Sequence, residues 1–263
     1  MATKMLSKME QDKIRALARE KLVSFCKLND VIGAQVFKIL EKESHVLYYP
    51  LEDQTVWGFS EKVRGKSFVC INTSLDYEKQ VFAAAHELYH LWYGSAGEAL
   101  LPEAEYEEEE MRANRFAAEF LINEELLLQE MRIYNIDKEN LEIKDIVRLA
   151  HLFVVPYQMM INRLFEIGLC KELEKNKWAD VSENQITIWK KRLGLLSTTN
   201  DSKIGLSNLL DMAVDLYEKK LITYAKLDYL LAFAELSPEK MGIAEPLKYV
   251  PPTEAELDAI MEE

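Results

Sequence analysis

Cysteine is scarce, with Cys26, Cys70 and Cys170 the only three in a chain of 263 residues. Their odd number and wide spacing, with no CxxC pair, exclude a disulfide framework and a thiolate zinc knuckle. They read as reduced thiols of the core. Long apolar runs are missing too: no stretch reaches the ~18 uninterrupted apolar residues of a membrane span. The charged opening MATKMLSKMEQDKIRALAREKL also lacks the apolar segment of a secretory signal. The expectation is a cytoplasmic protein with no membrane partner. Positive charge is in deficit, since 32 Lys and Arg against 45 Asp and Glu give a net charge of −13. Phosphate backbones are gripped by clustered Lys and Arg, so no direct nucleic-acid contact is expected.

What is present is a 49% hydrophobic, 29% charged balance at a length that fits one large or two modest domains. Ile14, Leu17, Ala18, Leu22 and Phe25 recur at helical spacing and predict an opening amphipathic helix over about residues 9–27. Between Ala34 and Thr73 the pattern shortens to VFKIL, HVLYYP, TVWGFS and SFVCINT, punctuated by Pro50, Gly58 and Gly65. About three short strands are predicted there. From Asp76 helical spacing returns, predicting helices over 77–93, about 105–122, 142–152 and 156–168, the last opening on Pro156 after a VVP turn. LSTTNDSKIG at 196–205 reads as a loop or hinge. Beyond it Leu206, Leu209, Leu210, Ala213 and Leu216 share one helical face, and Tyr224 to Phe233 forms another apolar helix. Thr253 and Glu256 make a capping box for a short acidic helix at the end. The fold class is α+β, with the strands early and helices dominating the rest.

Histidine is nearly as rare as cysteine, yet two of the four stand in AAAHELYHLWYG at 83–94. Residues four apart share a helix face with Cβ atoms about 5–6 Å apart, so His86 and His90 can converge on one ion. Glu87, turned by about 100° from His86, can reach a water held by that ion without ligating it. This is the H-E-x-x-H arrangement of zinc peptidases. Zn²⁺ there lowers the pKa of a bound water from 15.7 to about 7 and polarises a carbonyl, while Glu87 takes the proton and later gives it to the leaving amine.

Catalytic zinc takes three protein ligands, and the third must come from elsewhere. His151, in RLAHLFVV, sits on an apolar helix and reads as a packed boundary histidine. His45 enters a strand and carries no signal. A carboxylate from PEAEYEEEEMRANRFAAEF is the better source. Winding 106–121 as a helix puts Ala113, Phe116, Ala117 and Phe120 on a buried stripe flanked by Glu109 and Glu110, with Glu107 and Glu108 pointing away. Most of the acidic run reads as a solvated helix start favoured by the helix dipole. Either Glu109 or Glu110 can look toward the His pair.

AAAHELYHLWYG followed by EMRANRFAAEFLI resembles the ImmA/IrrE family of metallopeptidases, whose members are similar to a minimal zincin. In that family the third ligand begins an E-x-x-A-N-x-F-A-A segment, a register that implies Glu110 as ligand here and matches Ala113, Asn114, Phe116, Ala117 and Ala118. SFVCINTSLDYEKQVFAAAHE and VVPYQMMINRLFEIGLC extend the likeness to roughly residues 10–170. The chain departs from the pattern at LIN (121–123) and at Pro156, and neither touches the ligands. The resemblance implies a zincin-like domain over 1–170 followed by a helical recognition or regulatory region over 171–263.

It also implies a zinc metalloendopeptidase with His86, His90 and Glu110 on the metal and Glu87 as the catalytic acid–base. The implied partner is a protein substrate, a helix-turn-helix repressor of a mobile element or stress response. An extended substrate is expected to pair with a sheet edge, taken here as the strand Phe68–Asn72. The alternative is a zinc-bound binding module that acts through its C-terminal helices without proteolysis.

Overall fold

The structure, a computed structural model, describes residues 6–94, 103–195, 204–234 and 236–245. Thr253 and Glu256 lie outside them. Two compact units are present, Met1–Ser207 and Asn208–Glu263.

The first unit opens with α1 (Lys8–Ser24), started by a capping box in which the Ser7 hydroxyl accepts from Glu10 N–H and the Glu10 carboxylate accepts from Ser7 N–H. Ile14, Ala18 and Leu22 form its buried stripe, as the spacing predicts. Cys26, just beyond, is exposed, which corrects the expectation of a core thiol; Cys70 and Cys170 are buried. The run VFKIL is helical: it lies in α2 (Gln35–Glu43), where Val36, Ile39 and Leu40 are buried at i, i+3 and i+4. Its β-branched residues mimic a strand over five positions, but the burial period is that of a helix.

The other three runs do form strands: β1 (His45–Tyr49), β2 (Gly58–Val63) and β3 (Lys66–Asn72). β2 and β3 are an antiparallel hairpin turning at Arg64 and Gly65, both at positive φ, the backbone a tight right-twisted hairpin requires. β1 runs parallel to β3, with His45 opposite Phe68. A fourth strand, β4 (Gly205–Leu206), pairs antiparallel with β1, fastened by Ser207 N–H to Val46 C=O at 2.8 Å and Val46 N–H to the Ser207 hydroxyl at 2.7 Å. Gly205 and Leu206 therefore belong to the sheet and not to a loop or to a helix face.

The order β2-β3-β1-β4 makes β3 an inner strand. This corrects the expectation that Phe68–Asn72 offers an edge: among the described residues the two edges are β2 and the short β4. Asn72, fully buried, ties the β1–β2 connection down by donating to the carbonyls of Asp53 and Val56 and accepting from Leu51 N–H.

Helix α3 (Tyr77–Tyr93) lies over the sheet, where Val81, Phe82, Ala84, Ala85 and Leu88 join Val46, Val69 and Ile71 in one core. Next comes α4 (Glu103–Leu121), which packs against both α1 and α3. Helix α5 (Glu124–Ile133) follows without having been predicted; its start is fixed by the Asn123 side chain, which accepts from the N–H groups of Glu125 and Leu126. The expected helices near 142–152 and 156–168 are α6 (Ile143–Phe153) and α7 (Tyr157–Glu166), joined through Val154 in the left-handed region. Pro156 precedes α7 as its N-cap instead of filling the first helical position.

Fully buried Arg163 of α7 locks this helix to α4: it donates to the Ile122 carbonyl and pairs with Glu119, which Arg115 and Arg15 also hold. The polar stretch after Gly168 forms two more unpredicted helices, α8 (Glu172–Ala179) and α9 (Glu183–Arg192).

The second unit contains α10 (Leu209–Glu218) and α11 (Tyr224–Leu231), the latter continued by a short 3₁₀ turn. Its own small core is Ala213, Leu227 and Leu231. Of the face expected on α10, only Ala213 is fully buried. Among the described residues no helix is long and apolar enough to cross a membrane.

Candidate metal centre

The site is built where α3 and α4 meet. Five aromatic side chains hold the two helices together: Phe116 and Phe120 stack at 5.5 Å, Trp92 stands edge-on to both, and Tyr89 and Tyr93 lie 5.6 and 5.7 Å from Phe116. Ala113 and Ala117, both fully buried, leave room for the close approach. Each aromatic contact contributes about 0.5–1.5 kcal/mol beyond its buried area, so the helix pair is a rigid frame.

That frame brings together His86 and His90 from one helix and Glu110 from the other. The two Nε2 atoms are 3.0 Å apart, and the Glu110 carboxylate oxygens lie 3.3 Å from His86 Nε2 and 3.4 Å from His90 Nε2. Among the described residues this is the one group of three metal-ligating side chains with all ligand atoms within 4.8 Å of one another. Tetrahedral zinc with ligand bonds of ~2.0–2.1 Å places its donors ~3.3 Å apart. Two imidazole nitrogens and a carboxylate at this spacing fit that ion.

A further contact orients the His86 ring. His86 Nδ1 lies 3.1 Å from Asn114 Oδ1, so Nδ1–H donates to the amide and Nε2 keeps its lone pair for a metal. Asn114 stands one turn after Glu110, and a single turn of α4 therefore supplies both the carboxylate and the orienting amide.

Electrostatics separates the two acids the sequence left open. Burial pushes Glu110 up, but the His86 and His90 rings, when protonated, donate to its carboxylate and hold its carboxyl well below the ordinary range. Glu109 turns instead to Arg112, 3.0 Å away, and Glu108 pairs with the same guanidinium. Neither of the other two histidines joins the cluster: the His45 ring packs 5.1 Å from Phe68, and His151 lies beside Lys190 and Glu78, its pKa pushed down mainly by burial.

Glu87 sits on the sheet side of α3 and is only 4% exposed. Burial raises its pKa, with His86, His90 and a hydrogen bond from Ser60 acting in the opposite sense. Such a carboxylate is more basic than an exposed one and stands beside the two rings of the candidate site, which equips it to accept and return a proton. Nothing in the sequence pairs Ser60 or Gly58 with Glu87, because they meet only when β2 packs under α3.

Residues 41–165 match the family model described as the IrrE N-terminal-like domain. No curated protein and no solved structure matches the chain significantly. The matched stretch contains β1 to β3, the H-E-x-x-H helix and Glu110, and over it the chain is similar to the ImmA/IrrE family of peptidases.

Proposed function

We propose that this chain is a zinc-dependent endopeptidase that cleaves a protein partner in the cytoplasm, a helix-turn-helix repressor of a mobile element or stress response. One observation carries it: the donors of His86, His90 and Glu110 stand 3.0–3.4 Å apart with buried Glu87 next to them. Bound zinc supplies Lewis acidity, which polarises a carbonyl and makes a water acidic near neutral pH.

The protein's own residues do the rest. His86, His90 and Glu110 would hold the ion, and Asn114 would keep the His86 ring turned to it. Glu87 accepts a proton from the attacking water as oxygen bonds to the scissile carbon, then delivers it to the amine as the C–N bond breaks. An extended main chain pairs with the β2 edge, which lies against the Glu87 side of α3. Repressor specificity is what the family resemblance implies.

Purified protein is expected to cleave the product of a neighbouring repressor gene, to stop on addition of a chelator and to resume with zinc. Glu87→Gln should lower the rate by ~10²–10⁴-fold with zinc content unchanged. Cleavage that survives Glu87→Ala or complete zinc removal would sink the proposal. A second reading, a zinc-bound binding module without proteolysis, is favoured by the self-contained core of the second unit. It predicts that Glu87→Gln leaves function intact.

A further inference from the structure

In a chain of net charge −13, one short segment reverses the sign. From Gly58 to Lys66, β2 and the turn into β3 carry Lys62, Arg64 and Lys66 against the single acid Glu61. All three cations are exposed, and among the described residues none of them forms an ion pair. Elsewhere the acids claim their cations: Arg112 alone meets Glu10, Glu108 and Glu109. Charge on an edge strand also deters pairing with other copies, but either sign serves that purpose, and this chain is already rich in acid.

Geometry ties the three cations to the metal centre. Alternate residues of a strand share a face, so Lys62 lies on the face of Gly58, where an added Cβ would stand 3.5 Å from Glu87 Cγ. The Gly58 end of β2 is therefore the end at the candidate site. At about 3.3 Å per residue, Lys62 is ~13 Å farther along the strand, and Arg64 and Lys66 flank the turn beyond it.

Among the described residues β2 has no strand on its other side, and Phe59 and Val63 on its outer face are half exposed. An extended chain added there is more stable antiparallel than parallel. Its amino-terminal part then lies by the turn and its scissile bond by Glu87.

We propose that Lys62, Arg64 and Lys66 are specificity-determining residues, which select substrates with a run of acidic side chains beginning about four residues before the scissile bond. The inference rests on the reading of β2 as the substrate edge of a peptidase. An acidic segment approaching so acidic a chain is repelled everywhere but at this turn, so the same three charges set the register and the direction of the bound strand.

The full chain carrying Glu87→Gln is loaded with zinc, so that no peptide is cut, and titrated by anisotropy against fluorescein-labelled peptides. Each probe is an alternating Val-Thr octapeptide preceded by four glutamates, four glutamines or four lysines. The glutamate tail is expected to bind about tenfold tighter than the glutamine tail. The gap should close at about 1 M NaCl, where the screening length is about 3 Å. With Lys62→Glu, Arg64→Glu and Lys66→Glu combined, the lysine tail should bind tighter than the glutamate tail, at an unchanged urea midpoint. Should that variant lose its urea transition, Lys62→Gln alone takes its place, with the preference for glutamate expected to fall about twofold.

Equal affinity for the three tails, no binding of the glutamate tail, or an unchanged preference in the variant overturns the proposal. A thymidine dodecamer held as tightly as the glutamate-tailed peptide also overturns it, because the turn then reads negative charge without a paired strand. If wild type cuts no fluorescein-labelled casein, the endopeptidase reading fails alone, since the order of the tails is measured without turnover.

Discussion

Asn114→Ala isolates the second layer of the metal centre. The amide makes one directed side-chain contact, 3.1 Å to His86 Nδ1. Removing the orienting partner of a metal-bound imidazole costs about 10–100-fold in affinity. Asn114 is exposed, so water can replace its oxygen, and a hydrogen bond replaceable by water contributes about 0.5–1.5 kcal/mol net. That corresponds to about two- to twelvefold, so the two ranges overlap near tenfold.

A competition titration of zinc-free protein against a chromophoric chelator should show a weakening of about tenfold, with the urea midpoint of the metal-free chain unchanged within error. Asn114→Asp should bind at least as tightly as wild type, because a carboxylate makes the imidazole a stronger donor. Equal affinity in wild type and Asn114→Ala would refute the idea that the amide sets the His86 ring. A loss as large as that of His86→Ala would refute it from the other side.

Arg163→Met should destabilise the metal-free chain by about 3 kcal/mol, the low end for a broken buried pair, because Arg115 and Arg15 still hold Glu119. A urea melt showing less than about 1 kcal/mol would argue that the lock contributes little. Acid should reach the same network: burial acts to raise Glu119, but Arg163, Arg115 and Arg15 hold it below the ordinary carboxylate range. A folded pKa below the unfolded one gives stability that is present above the unfolded value and lost as pH falls through the folded one. Unfolding free energy of the metal-free chain should therefore fall below about pH 5, and Glu119→Gln should flatten that fall; an identical slope in the variant would exclude Glu119 as a contributor.

The chemistry of this protein was readable where it follows a helix period. Both His86 and His90 and the buried stripe from Ala113 to Phe120 come from spacing alone, since one helix face fixes who meets whom. Glu109 and Glu110 are equally placed by that rule, and their partners decide: Arg112 takes one and the His pair the other. The family register had named Glu110 for a reason that spacing does not contain.

VFKIL failed as a strand because five residues of β-branched and aliphatic character fit either period, and burial of Val36, Ile39 and Leu40 settled it. Helices α8 and α9 were missed because their sequences are polar nearly all round, with Trp178 the one buried side chain of α8 and none in α9. Sheet order lies beyond any local pattern. β4 pairs with a strand about 160 residues earlier in the chain, and its insertion beside β1, with β3 between β1 and β2, left β2 as the long free edge.

The distances along the chain also set an order of assembly. The three proposed ligands span only residues 86 to 110, a loop whose closure entropy is small, and every group of the cluster has been synthesised once α4 is complete at Leu121. Gly205 and Leu206 leave the ribosome much later. A nascent chain can thus gather the three proposed ligands while β1 is still bare on one side, and for that interval five-residue β1 stands as an outer strand where two-residue β4 later takes its place.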